Sequence, residues 1–312
     1  MNCLRTRLLQ LCVAMLSIVG SVCFAVQEIE IPEHRIRIRF SADEQATAEN
    51  VQKLLNHHLP RLTAFFDQPV DSIVIDLVSE AEGWDEYRER GAPEWAKGLY
   101  FPAEKLLVVN LTDYSTPLNR LESVIVHELV HACFYSTYGE SHAPVWFNEG
   151  LAEYLSGGIF EMDPVLLANA RAAGTLPALE DLQDMHRFPR NKAQLAYVQS
   201  LSAVQYLFEQ LGDNRELFLQ TLKTQSWTVA LAKHLNTDDI GFEIDWYEDV
   251  KNRYRWFVIF NLENLLWASG ALLIILAFFW KLVRNRRKIR QWEREAKRFE
   301  PPDSENSDPH VT

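Results

Sequence analysis

Apolar and polar residues in the first third of the chain alternate between two spacings. Apolar and basic residues alternate in HRIRIRF (34–40), as along a half-buried strand, while SIVIDLV (72–78) and KLLVVNL (105–111) are short runs typical of buried strands. Between the first two, a spacing of three to four residues predicts a helix from about Ala42 to His58. The charged segment 79–98 predicts a surface excursion. The pattern therefore predicts a small mixed sheet packed with helices.

Helical spacing dominates the chain after residue 116. One helix is predicted through VIVHELVHACF to Gly139, and a second from Val145 to Leu155, ending before the pair of glycines at 157 and 158. KAQLAYVQSLSAVQYLFEQLG (192–212) predicts a third. The fold class predicted is α+β, with a mixed-sheet N-terminal lobe and a helical C-terminal lobe.

Each end of the chain carries an apolar segment of its own kind. Residues 1–25 have two arginines, a short apolar run and small residues before Ala25, the layout of a secretory signal peptide; an uncleaved anchor is the alternative. Residues 265–283 form a 19-residue apolar run followed by RNRRKIR (284–290). That length and the basic cluster predict a transmembrane helix whose far end faces the cytoplasm, the alternative being a buried core helix.

These segments predict the organisation of the whole chain. An extracytoplasmic domain (26–255) is followed by a juxtamembrane stretch (256–264), the transmembrane helix (265–283) and a cytoplasmic tail (284–312) that is basic and then disordered. We expect a single-pass protein of the cell (inner) membrane with its domain in the periplasm. A partner protein in the membrane is compatible with this topology.

Charge and cysteine content narrow the function classes. The net charge is −12, and residues 26–280 contain 20 basic and 37 acidic residues, which argues against nucleic acid as a partner. After the predicted signal peptide only Cys133 remains. A lone cysteine forms no internal disulfide, so the fold must rest on its core.

The HELVH stretch carries the candidate chemistry. His127 and His131 are four residues apart and share one helix face, so both imidazoles can reach one metal ion. Glu128 projects about 100° away and can reach a water molecule instead. The pattern HExxHxxGxxH would place glycine and histidine at positions 134 and 137, but Phe134 and Thr137 stand there. The alternative is a buried helix that carries two histidines by coincidence.

A better source of a third ligand is WFNEGLAEY (146–154). Glu149 lies eighteen residues after His131 on the next predicted helix. Glu153, one turn further on, can accept a hydrogen bond from a ligand histidine, the alternative being an ordinary ion-paired helix residue.

HELVH followed by WFNEGLAEY resembles the gluzincin metallopeptidases, and most closely the compact peptidase-MA-like domains of bacteria. The resemblance implies one Zn²⁺ per chain held by His127, His131 and Glu149, with Glu153 supporting the first histidine. YVQS (197–200) matches a downstream helix of these domains. A thermolysin-like fold is implied, with zinc between the two lobes and an edge strand, expected at LLVVNL (106–111), pairing with a polypeptide substrate.

The expected function is therefore that of a membrane-anchored zinc metallopeptidase acting on extracytoplasmic polypeptides. Glu128 would act as general base on a water activated by zinc, and Tyr197 would stabilise the oxyanion, with Tyr154 and His186 as further candidates; Tyr197 could equally be a core residue. GAPEW (91–95) only superficially matches the stretch with which zinc aminopeptidases hold a substrate's amino end, which favours an endopeptidase. Two alternatives remain: a tethered zinc-containing binding module without turnover, and a zinc hydrolase of a non-peptide bond.

Overall fold

The computed structural model describes residues 26–70, 72–112, 118–139, 143–159, 162–260 and 262–299. The predicted signal peptide and residues 300–312 of the predicted tail lie outside the described residues. The chain divides into two compact units, one ending at Arg253 and the other beginning at Tyr254.

A five-stranded mixed sheet forms one side of the first unit. Its order is β1-β2-β3-β5-β4, with the three central strands parallel and the two outer strands antiparallel to their neighbours. The strands are β1 (Gln27–Ile31), β2 (Ile36–Phe40), β3 (Val74–Val78), β4 (Gly98–Phe101) and β5 (Leu106–Asn110). The mixed sheet is confirmed; β1 and β4 were not predicted.

The prediction that LLVVNL is an edge strand is wrong. β5 pairs with β3 on one side and with β4 on the other, and all five of its residues are buried. A continuous apolar run is typical of a strand covered on both faces, which is the reason for its inner position. The edge strand next to β5 is β4, whose four residues are too few to show an apolar–polar alternation.

The segment 79–98 lies largely at the surface, as its charge predicted, but it is anchored to the sheet. It contains helix α2 (Ala81–Glu89), and Trp84 of that helix packs with Ala96 against Leu106 and Val108 of the sheet. Trp84 is the single buried residue in the helix, so its sequence carries almost no apolar periodicity.

Helix α1 continues two turns beyond its predicted end. It spans Gln45–Phe66 with Pro60 inside, although proline removes one backbone donor and usually ends a helix. Leu59, Leu62 and Phe66 extend the buried stripe past the proline. Their burial offsets the lost hydrogen bond.

The rest of the first unit is helical, as predicted. The helices are α3 (Leu118–Tyr138), α4 (Val145–Ser156), α5 (Pro164–Ala173), α6 (Arg190–Leu211), α7 (Arg215–Leu222), α8 (Trp227–Leu235) and α9 (Asp239–Phe260), the last of which runs into the second unit. A 3₁₀ segment, Glu180–Arg187, precedes α6.

A close crossing of α4 and α6 fixes the centre of this helical part. A Cβ atom added to Gly150 would lie 2.3 Å from the carbonyl oxygen of Ser200, so only glycine allows the two backbones to approach this far. Gln199, next to that serine, donates from Nε2 to the Pro177 carbonyl at 2.7 Å and ties down the segment before the 3₁₀ turn. The NEG and YVQS motifs are thus two sides of one helix contact.

The second unit contains helix α10 (Leu262–Phe299). Within it, Leu266–Glu295 is long and apolar enough to cross a membrane, and none of this stretch is buried. Its large apolar side chains, such as Leu273 and Ile274, are exposed. This helix is a candidate membrane span and includes most of the predicted one.

Candidate metal centre

The polar residues of α3 and α4 face a cleft between the edge strand β4 and the helices. The cleft has a volume of about 440 Å³. It is lined by β4, the segment before it, the 3₁₀ turn and helices α3, α4 and α6. Its lining includes His127, Glu128 and His131 of the first motif and Glu149 of the second.

Three predicted ligands converge there. Nε2 of His127 lies 3.4 Å from Oε2 of Glu149, and Nε2 of His131 lies 3.5 Å from Oε1 of the same carboxylate. One ligand atom from each residue lies within 4.8 Å of the others. All three residues are buried.

Two further side chains of α4 orient the histidines from behind. Nδ1 of His127 lies 3.2 Å from Oε1 of Glu153. Nδ1 of His131 donates to Oδ1 of Asn148 at 3.1 Å. With each Nδ1 facing an acceptor, each Nε2 is left as the nitrogen that can bind a metal.

The electrostatic environment of the cluster favours positive charge. Burial alone would raise the pKa of the Glu149 carboxyl, but the charges of the neighbouring His131 and His186 hold that pKa well below its usual range. Burial lowers the pKa of His127, yet Glu149 and Glu153 outweigh it and raise that pKa to about 10. The two helices therefore create a buried site in which a cation is favoured.

This arrangement fits a zinc ion. The Nε2 atoms of His127 and His131 lie 3.4 and 3.5 Å from separate oxygens of Glu149, and one ligand atom from each residue lies within 4.8 Å of the others, so all three side chains can reach one ion. Oε2 of Glu149 is buried and accepts no hydrogen bond from any residue in the described ranges. Two imidazoles and one carboxylate are a donor set that zinc uses in hydrolytic sites.

Glu128 lies beside the ligands but faces the edge strand. A Cβ added to Gly98 of β4 would lie 2.8 Å from Cγ and 3.0 Å from Oε1 of Glu128. Burial raises the pKa of the Glu128 carboxyl, and the nearby imidazoles of His131 and His127 offset only part of that rise. A raised pKa makes a carboxylate a stronger proton acceptor.

The three oxyanion candidates occupy different places. Tyr197 is buried, lines the cleft, and has its ring 6.0 Å from that of His127. Burial together with Glu149 and Glu128 raises its pKa well above the usual value, so the phenol keeps its proton. His186 also lines the cleft, with Nε2 3.4 Å from Oε1 of Glu149. Tyr154 does not line it and packs on Phe208 instead.

Sequence reasoning missed Asn148 and β4. Asn148 directly precedes Glu149, and its amide oxygen can accept a hydrogen bond. A hydrogen bond from His131 to this side chain could therefore have been proposed from the sequence. The signal for β4 is Gly98, the residue that permits close approach to Glu128. Without knowledge of which elements are neighbours, the role of that glycine could not be predicted.

The comparisons with known proteins agree with this geometry. The family model described as Peptidase MA superfamily matches residues 68–255, a stretch that contains the three ligands, Glu128 and Tyr197. A search of curated proteins finds no matching protein. Because the match covers more than half of the chain and the buried triad fits an HExxH-type zinc site, the protein belongs to the Peptidase MA superfamily.

Proposed function

We propose that the protein is a membrane-anchored zinc metallopeptidase of the gluzincin type that hydrolyses peptide bonds within extracytoplasmic polypeptides. The observation that carries the proposal is the convergence of His127, His131 and Glu149 with Glu128 beside them on a cleft wall. A structural zinc site has no use for a buried glutamate next to an open position.

The residues have separable roles in this proposal. A zinc ion held by the triad would supply Lewis acidity to a water molecule and to the substrate carbonyl. Glu128 accepts a proton from the attacking water and delivers it to the leaving nitrogen. Tyr197, which retains its proton, donates a hydrogen bond to the developing oxyanion, with His186 as the alternative donor.

The open edge of β4 is the proposed substrate platform, in a thermolysin-like arrangement. Among the described residues β4 pairs with β5 alone, and Gly98 brings its backbone next to Glu128. A polypeptide added along the free edge would receive backbone hydrogen bonds beside the general base. This corrects the strand assigned to that role without changing the mode of binding.

The segment GAPEW supports an endopeptidase. Its glutamate, Glu94, does not line the cleft; the side chain is 87% exposed and lies 3.9 Å from Arg88. A glutamate in that position cannot hold a substrate's free amino end. Internal cleavage of a polypeptide is therefore the proposed reaction.

The proposed topology follows the sequence. A signal peptide (1–25) precedes the catalytic domain (26–255), a juxtamembrane stretch (256–264) and the span (265–283) lead to a cytoplasmic tail (284–312), and the domain lies in the periplasm. The fully exposed apolar surface of α10 supports this, because hydrocarbon is the solvent such a surface needs.

The test uses the full chain purified in detergent, beside Glu128→Gln. We expect about one zinc per chain by elemental analysis in both proteins, and cleavage of an unstructured protein such as casein by the wild type alone. Zinc in both without cleavage would favour a binding module or a hydrolase of another bond. Absence of zinc from both would refute the metal site.

A further inference from the structure

The two ends of the cleft can be distinguished because β4 and α3 run in the same direction. Gly98, at the start of β4, lies against Val124 and Glu128 of α3, since a Cβ added there would be 2.7 Å from Cγ1 of Val124. Further along both elements, the rings of Tyr100 and Tyr135 are 6.2 Å apart. The start of β4 therefore marks one end of the cleft, and the two tyrosines mark the other.

Two cations line the end at which β4 starts. Lys97 immediately precedes Gly98, and Arg120 lies one helical turn before Val124 on α3. Both line the cleft. Among the lining residues that the structure describes, no lysine or arginine lies beside the two tyrosines or the metal centre.

A third cation reaches the same end from the helical side. Trp95, two residues before Lys97, donates from Nε1 to the carbonyl oxygen of Phe188 at 3.0 Å. Arg190 follows Phe188 by two residues, lines the cleft, and forms no ion pair within the described ranges. The tryptophan thus joins the segment that carries Lys97 to the segment that carries Arg190.

This concentration of positive charge contrasts with the net negative charge of residues 26–280. Residues 26–280 contain 37 acidic and 20 basic residues. Among the described residues that line the cleft, however, the only carboxylates are Glu128 and Glu149 of the metal centre. We call Lys97, Arg120 and Arg190 the cationic end.

We propose that the cationic end binds a carboxylate of the substrate polypeptide, so that cleavage is directed to bonds near an acidic group. This rests on the proposed peptidase function and adds the substrate class. Arg120 precedes Glu128 by eight residues, or about 12 Å along the helix axis, which is about three to four residues of extended chain. Its own side chain shortens that reach, so the carboxylate lies about one to three residues from the scissile bond. Arginine matches a carboxylate with two parallel hydrogen bonds.

Binding without turnover tests the proposal. The full chain carrying Glu128→Gln is titrated in detergent against three fluorescent peptides of equal length, followed by anisotropy. One has internal glutamates and an amidated end, one is neutral with a free C-terminal carboxylate, and one is neutral and amidated. We expect at least one carboxylate peptide to bind about tenfold or more tightly than the neutral one, as for charge-assisted contacts in a partly desolvated cleft. Which of the two binds identifies a side-chain or a terminal carboxylate as the source.

Single replacements assign the effect to the cationic end. Arg120→Gln and Arg190→Gln should each weaken binding of the preferred peptide about three- to tenfold and leave the neutral peptide within twofold. The matched control is Arg187→Gln, because this arginine is close in sequence but 85% exposed and does not line the cleft. It should change neither affinity by more than twofold.

Three results would overturn the proposal: equal affinity for acidic and neutral peptides, binding of none of them, or an effect of Arg187→Gln as large as that of Arg190→Gln. Failure of the peptidase function looks different. In that case the carboxylate preference persists in binding while the wild-type chain cleaves none of the peptides.

Discussion

Glu128 and Glu149 are both buried in the same cleft, yet their environments drive their pKa values in opposite directions. The side chains are 5% and 2% exposed, so desolvation acts on both carboxyls. Oxygens of Glu149 lie within 3.4–3.5 Å of nitrogens of His127, His131 and His186, and its pKa falls well below the usual range. Glu128 faces the backbone of β4 instead, and its pKa rises.

The difference separates two roles that burial alone would not distinguish. A carboxylate that stays ionised among imidazoles suits a metal ligand, whereas one with a raised pKa suits proton transfer near neutral pH. The surrounding groups that set the two pKa values therefore suit Glu149 to the proposed role of metal ligand and Glu128 to that of proton acceptor.

Replacing each glutamate by its amide gives the largest expected effects and tests this separation. Glu128→Gln should lower kcat by about 10²–10⁴-fold and keep zinc, because it removes only the proton acceptor. Glu149→Gln should lose zinc as well as activity, with an affinity loss beyond the roughly 100-fold typical of residues that only support a ligand. Zinc content and casein cleavage are measured on both; retention of zinc by Glu149→Gln would contradict the ligand assignment.

Removing one hydroxyl group gives the next largest effect. Tyr197→Phe should lower kcat about 10²–10³-fold with KM little changed, since the hydrogen bond forms as charge develops on the oxyanion. His186→Gln is the matched comparison, because His186 is the other donor candidate that lines the cleft. If His186→Gln reduces kcat more than Tyr197→Phe does, the roles of the two residues are reversed.

Within each helix, the candidate metal ligands and their neighbours could be predicted from sequence because their spacing depends on local geometry, whereas the pairing of the two helices was implied by the family resemblance. HELVH fixes two histidines on one helix face, and the α4 motif places Glu149 and Glu153 one turn apart, so each pair is determined within a single helix. The edge strand of the sheet could not be predicted from sequence, because β4 is four residues long and its position is set by pairing with another strand. Likewise, Lys97 and Arg190 are far apart in sequence, and the Trp95 contact with Phe188 that joins their segments is a long-range one.

The residues behind the histidines provide a smaller test of the same comparison. Glu153→Gln and Asn148→Ala should each weaken zinc binding about 10–100-fold, because each holds one imidazole in the orientation that turns Nε2 toward the metal. Glu153→Gln also removes a negative charge beside His127 and should have the larger effect. Competition with a chelator measures both affinities. Equal affinity in the wild type and both variants would show that the close helix packing alone orients the histidines.

One glycine lies next to each of the two glutamates, and replacing these glycines has the smallest expected effects. A methyl group at Gly150 meets the Ser200 backbone carbonyl, which cannot move without parting α4 from α6, so Gly150→Ala should cost about 1–3 kcal/mol of unfolding free energy and weaken zinc binding.

The nearest atoms to a methyl group at Gly98 belong to the side chains of Val124 and Glu128 rather than to the backbone. Gly98→Ala should therefore lower the free energy of unfolding less than Gly150→Ala does, yet reduce kcat by displacing Glu128 while zinc stays bound. Gly83→Ala, in helix α2 and outside the cleft lining, is the control and should leave kcat and zinc content unchanged. Denaturant unfolding, zinc content and kcat together distinguish the three variants. Loss of zinc from Gly98→Ala would mean that β4 supports the metal ligands as well as the base, and that the two glutamates are not independently positioned.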